Sequence, residues 1–159
     1  FRLLRADFTP LPAYEAIRDY TNHLQPTLYP GAHPATHWAL NYTGSWKISF
    51  LPTGEPTRWT QDSYAQLRFR FEGTGAVLLV PAGHEFAGAV ISIDGGLTYP
   101  VLAEDALVSD GYTQIWLVRR LENGIHELEI RPMDGLLSIG GIRIVDHHWF
   151  KDWLMEIAP

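Results

Sequence analysis

The sequence predicts an all-β, antiparallel β-sandwich preceded by one short α-helix. Three observations carry that prediction. Apolar and polar residues alternate over several short runs, as in Leu67, Phe69 and Phe71 against Arg68, Arg70 and Glu72. These runs recur at short, regular intervals and are separated by Gly-rich turns such as Gly73-Thr74-Gly75 and Asp94-Gly95-Gly96. Period-two alternation is the mark of a half-buried strand, and closely spaced strands with turn signals indicate a sandwich or barrel. Only residues 12–24 depart from the pattern, with apolar residues at helical spacing.

Taken in order, Pro10 and Pro12 precede the helical stretch and Pro26 follows it. Proline is tolerated in a first helical turn and stops a helix further on. Tyr14, Ile17, Tyr20 and Leu24 form one apolar stripe, which needs cover. Residues 26–37 hold Pro26, Pro30, Gly31 and Pro34 and read as a surface linker. Strands follow at 67–71, 76–80, 89–93, 113–119 and 125–130, and a closing strand is expected over 136–145. Leu67, Phe69, Phe71, Ile91, Ile93, Leu128 and Ile130 are expected to face inward. The chain therefore divides into 1–37 (helix and linker), 38–146 (sandwich) and 147–159 (an aromatic tail). The tail carries Trp149, Phe150 and Trp153, expected to dock on the helix stripe.

Composition narrows the function. At 159 residues and 46% hydrophobic content the chain can bury a core unaided. Its net charge of −6 and only two lysines, Lys47 and Lys151, argue against a nucleic-acid partner. The absence of Cys excludes disulfides, thiol catalysis and Cys-ligated zinc. No apolar run reaches the ~20 residues of a membrane-spanning helix.

The order of motifs over residues 38–146 resembles the galactose-binding-domain-like jelly roll. The pieces are Phe69-Arg70-Phe71-Glu72-Gly73-Thr74-Gly75, Val90-Ile91-Ser92-Ile93-Asp94-Gly95, Leu121 through Leu128 with Gly124 and His126, and Ile139 through Ile144. The sequence departs from that pattern at Gly140, where the family usually has Asp, and at Ser138, where Asn is usual. The resemblance implies a carbohydrate-binding or accessory module. Residues 1–18 are similar to the last strand and helix of barrel glycoside hydrolases, which implies a catalytic domain upstream, in an extracellular or cell-surface bacterial protein. A structural spacer or protein-interaction sandwich without sugar affinity is the alternative.

No catalytic set emerges. Glycoside hydrolysis needs two carboxylates flanking one bond, and the acids here are scattered over outward strand positions and turns. Ser45 sits in Gly44-Ser45-Trp46, not in a nucleophile elbow, and Ser138 lacks the flanking glycines at the required offsets. Neighbours on a strand point to opposite faces, so His147 and His148 could not easily share one ion, and a solvated turn after the last strand is expected there. His126 is expected to be a packed, hydrogen-bonded histidine. No cofactor is expected; structural calcium, which the resemblance allows, would draw on Glu104, Asp105, Asp110 and Asp134.

Sugar recognition combines an exposed ring, which packs on apolar C–H faces, with nearby hydrogen-bonding side chains. Two predicted loops have that mix. One, at 55–62, holds Arg58, Trp59 and Asp62. The other, at 109–112, holds Asp110 and Tyr112 and leads to Gln114. These six residues are the candidate carbohydrate site, at one loop end of the sandwich. The resemblance also places a stacking aromatic near Tyr112. Trp116, inside an apolar strand, and Trp46 are expected in the core.

Overall fold

The computed structural model describes residues 12–103, 106–133 and 135–146. Residues 1–11 of the segment resembling a barrel terminus, and the aromatic tail from 147 onward, lie outside the described residues. The α-helix α1 spans Pro12–His23, in agreement with the expected 12–24. Glu15 sits in its first turn, where the helix dipole favours an acid. Its stripe is not fully covered: Tyr14, Ile17 and Leu24 are 36%, 48% and 49% exposed.

The described residues form fourteen strands: β1 (Thr27–Leu28), β2 (Gly31–Pro34), β3 (Asn41–Thr43), β4 (Lys47–Phe50), β5 (Pro56–Thr60), β6 (Gln66–Gly73), β7 (Gly75–Pro81), β8 (Ala89–Ile93), β9 (Thr98–Val101), β10 (Leu107–Ser109), β11 (Tyr112–Val118), β12 (Gly124–Pro132), β13 (Leu137–Ile139) and β14 (Gly141–Val145). One sheet runs β1-β6-β12-β8-β9 with β3 also on β6, a second runs β10-β11-β7-β14-β2, and a small third runs β13-β5-β4. All pairings are antiparallel except β1 with β6.

The core lies between the two large sheets and follows from alternation. Leu67, Phe69 and Phe71 on β6 and Leu128 and Ile130 on β12 are buried. They meet Ala76, Leu78 and Val80 on β7, Ile115 and Leu117 on β11, and Ile142 and Ile144 on β14. Each large side chain so buried contributes about 1.5–3 kcal/mol. Ile91 is buried as expected, and Ile93 packs against the core while partly open.

Three expectations are corrected. Residues 27–34, read as linker, pair as strands: β1 joins β6, and β2 joins β14. Leu28 and Ala35 are buried there, so these proline-flanked residues help close one edge of the sandwich. The stretch 55–62, read as loop, contains β5. The closing strand is two strands, split at Gly140, and its first half pairs with β5 in a third sheet. A Cβ at Gly140 would lie 2.5 Å from Cε1 of Tyr112 and 3.2 Å from the Leu79 carbonyl. Only a glycine lets the chain pass that point, and the bend carries it from one sheet to another.

The registers sort the turns into two ends. β6 and β12 run antiparallel with Gly73 opposite Gly124, so 73–75, 94–97 and 119–123 share one end. Segments 35–40, 61–65, 82–88, 110–111 and 133–136 share the other. That second end carries the site.

Candidate functional site

Tyr112 opens β11 after a tight hairpin turn. Asp110 and Gly111 have φ of 55° and 77°, the left-handed pair that a two-residue hairpin requires. Asp110 is therefore a turn residue; its carboxylate accepts a hydrogen bond from Ser109 Oγ at 3.0 Å. The Tyr112 ring lies against Gly140, and its hydroxyl donates to Glu55 Oε2 at 2.9 Å. Burial, and then the carboxylate of Glu55, push the Tyr112 hydroxyl above its ordinary pKa, so it stays a donor. The ring is half-buried, with its position set from below by Gly140 and at its tip by Glu55.

Trp59 reaches the same region from β5. It stands opposite Ser138 on β13 and Lys47 on β4, so these three side chains share one face of the small sheet. The Lys47 ammonium sits 4.7 Å over the Trp59 ring, a cation–π contact that covers one of its faces. Ser138 is buried, and its Oγ lies 3.4 Å from His84 Nδ1 in the 82–88 turn. Ser138 and Gly140 are two residues apart, which ties the Trp59 side of the cluster to the Tyr112 side. Glu55 and His84 had no local signal in the sequence, because their partners Tyr112 and Ser138 lie 57 and 54 positions away, and Lys47 meets Trp59 only once β4 and β5 pair.

The remaining candidates go elsewhere. Arg58 pairs with Ile139 and Ile48, on the face of β5 opposite to Trp59. Its guanidinium stacks 4.5 Å over the Tyr42 ring, and its Nε is buried without a hydrogen-bond partner. Strand alternation separates it from Trp59: neighbours on a strand point apart. Asp62 clamps a turn, accepting the Ser45 amide at 3.0 Å and the Tyr64 amide at 2.9 Å. The Ser45 N–H, followed by the Tyr64 N–H, holds its carboxyl below the usual range. Gln114 follows Tyr112 on the outer face of β11 and accepts from Arg143 Nη1 at 3.1 Å. Trp116 continues that outer row and is not in the core. Ile115 and Leu117 take the inward positions, and the Arg119 guanidinium sits 4.7 Å over the indole. Trp46 packs at the core margin, edge-on to Tyr42 at 4.9 Å.

At the opposite end, His126 is hydrogen-bonded on both ring nitrogens, to Asp94 Oδ2 at 2.8 Å and the Glu122 carbonyl at 2.9 Å. Burial pulls its pKa down, but these acceptors outweigh it and hold the ring above its ordinary value. Among the described residues no group of three or more His, Asp or Glu converges on a possible metal position. Glu104, Asp105 and Asp134, considered for calcium, lie outside the described residues, as do His147 and His148.

The fold recurs among solved structures. A family 6 carbohydrate-binding module of Clostridium stercorarium, solved with cellobiose, superposes with a TM-score of 0.54 at 11% identity, over 77% of this chain and 99% of that one. A second family 6 module, studied for its binding subsites, gives 0.54 at 9% identity over 77% and 98%. A family two carbohydrate esterase from Cellvibrio japonicus gives 0.54 at 11% over 72% of this chain and 33% of that one. The chain thus spans about a third of the esterase but nearly the whole of each module. No family model matches the chain, and no curated protein matches it in sequence. The described domain thus shares the antiparallel β-sandwich fold of these modules.

Proposed function

We propose that the domain is a non-catalytic carbohydrate-binding module, serving as an accessory part of a modular glycoside hydrolase outside the cell. The observation that carries this reading is the held, half-buried Tyr112 ring, seated on Gly140, tied to Glu55 and gathered at one turn-bearing end with Trp59, Ser138 and His84. A ring fixed in place offers an apolar face to a sugar with little further ordering cost. The carboxylate of Glu55, the Lys47 ammonium and the His84 ring supply polar groups for hydroxyls. Loops at a sandwich end, held by a rigid scaffold, are where recognition residues sit.

The ligand in this reading is a poly- or oligosaccharide, bound weakly, because one or two rings and a few solvent-facing hydrogen bonds leave a small surplus. Residues 1–26 and 147–159 then serve as connections, the first to an upstream catalytic domain. Affinity electrophoresis tests the proposal: the protein is run through gels cast with hydroxyethylcellulose, xylan, glucomannan or β-1,3-glucan. At least one polymer should retard it, and Tyr112→Ala should reduce the retardation. Migration equal to an inert control in all four gels overturns the proposal.

A further inference from the structure

A second aromatic feature stands at the same end of the sandwich, in the turn between β2 and β3. Trp38 is 73% exposed. It is not a loose surface ring. His37 stacks on it at 5.8 Å between centroids, with the planes 29° apart. His37 is itself fixed: its Nδ1 accepts the Ala39 amide at 3.2 Å, and the His33 ring meets it edge-on at 5.0 Å. His33 in turn bonds the Tyr29 carbonyl through Nε2 at 2.7 Å. Two backbone bonds, His37 N–H to Pro34 O and Leu40 N–H to His37 O, brace the turn. Phe50 and Tyr64, exposed to 71% and 87%, have no ring or cation partner among the described residues. Trp38 therefore differs from them in being both open and backed.

The turn is also coupled to the Tyr112 site. The Ala35 amide donates to the Gly140 carbonyl at 3.0 Å, and Gly140 is the residue under the Tyr112 ring. From Ala35 to Trp38 the chain advances three residues, at most about 11 Å when extended.

We infer that Trp38 is a second saccharide-stacking platform, which takes the apolar face of a pyranose in the same glycan chain that occupies the Tyr112 site. This rests on the proposed carbohydrate-binding function and extends it to the ligand's form. The ligand is an extended polysaccharide with two points of contact, rather than a mono- or disaccharide held at one. A backed indole loses little freedom when a sugar ring packs on it, so its binding energy is largely retained. Two contacts on one polymer also raise apparent affinity through effective concentration.

The test compares the full chain with Trp38→Ala, His37→Gln and Tyr112→Ala in the four affinity gels, and by calorimetry with cellobiose and cellohexaose. The expected result is that Trp38→Ala weakens retardation roughly three- to tenfold, the range set by one aromatic contact. His37→Gln should weaken it less, because the indole remains but loses its backing. The melting temperature of Trp38→Ala should stay near that of the parent, since the ring is mostly in water. If cellohexaose binds, it should exceed cellobiose only while Trp38 is present. Retardation of Trp38→Ala equal to the parent, with Tyr112→Ala impaired, overturns the inference and leaves the module reading standing. Failure of the parent to be retarded in any gel overturns both.

Discussion

Substituting Gly140 by Ala tests how the site is built. The new Cβ would lie 2.5 Å from Tyr112 Cε1 and 3.1 Å from Cδ1, against about 3.5–4.0 Å for carbons in ordinary contact. The ring has to move by about 1 Å to restore contact distance. The Leu79 carbonyl, at 3.2 Å, crowds the methyl as well. Moving the ring takes its hydroxyl away from Glu55, now 2.9 Å distant. Overpacking of this kind costs about 1–3 kcal/mol, which lowers Tm by roughly 2–12 °C for a domain of this size. The assay is thermal and urea unfolding of Gly140→Ala, Tyr112→Ala and the double variant. In the Tyr112→Ala background most of the cost should vanish, giving a coupling of about 1 kcal/mol or more. Gly140→Ala should also weaken polysaccharide retardation beyond what its stability loss explains. A cost that is the same in both backgrounds, or no cost at all, would refute the packing of Tyr112 on Gly140.

Other outcomes follow from the same geometry. Arg58→Ala should destabilise the fold by about 1–2 kcal/mol in urea unfolding, through lost packing and stacking on Tyr42, while leaving polysaccharide retardation unchanged; lost retardation in a folded variant would bring Arg58 back to the sugar site. The His126–Asp94 pair sets a pH dependence. His126 titrates above its ordinary value, so its stabilisation is complete below the unfolded pKa of about 6.5 and is lost as pH rises through the folded value. For Asp94, burial raises the pKa, but the bonds from His126 and the Glu127 amide outweigh it and lower the pKa overall. Its contribution is present above about pH 3.9 and is lost as pH falls through the lowered value. The stability gap between the parent and His126→Gln should therefore be larger at pH 5.5 than at pH 8.5; a gap that widens at alkaline pH contradicts the arrangement.

The core strands were legible in the sequence because burial on one face imposes a period of two, as Leu67, Phe69 and Phe71 show. The short edge strands β1 and β2 were not, since Pro26, Pro30 and Pro34 read as linker chemistry while Leu28 and Ala35 are too few to set a period. Arg58 and Trp59 stood together as one site on paper. A strand at 56–60 sends them to opposite faces, and that strand is paired on both sides, with β4 and β13. Trp116 read as core by composition of its run, but Ile115 and Leu117 hold the inward positions. The bonds that shape the site, Glu55 with Tyr112 and His84 with Ser138, join residues 57 and 54 positions apart. Nothing local marks such pairs.

The central claim is that the end bearing Trp59 and Tyr112 meets the glycan. Backbone amide spectra recorded during titration with cellohexaose and mannohexaose test it most directly. Shifts should gather at 37–39, 55–59, 84, 111–114 and 138–140, while 94–97 and 119–124 at the opposite end stay still, and Tyr112→Ala should weaken them. Shifts confined to that opposite end, or none with either sugar, would contradict the account.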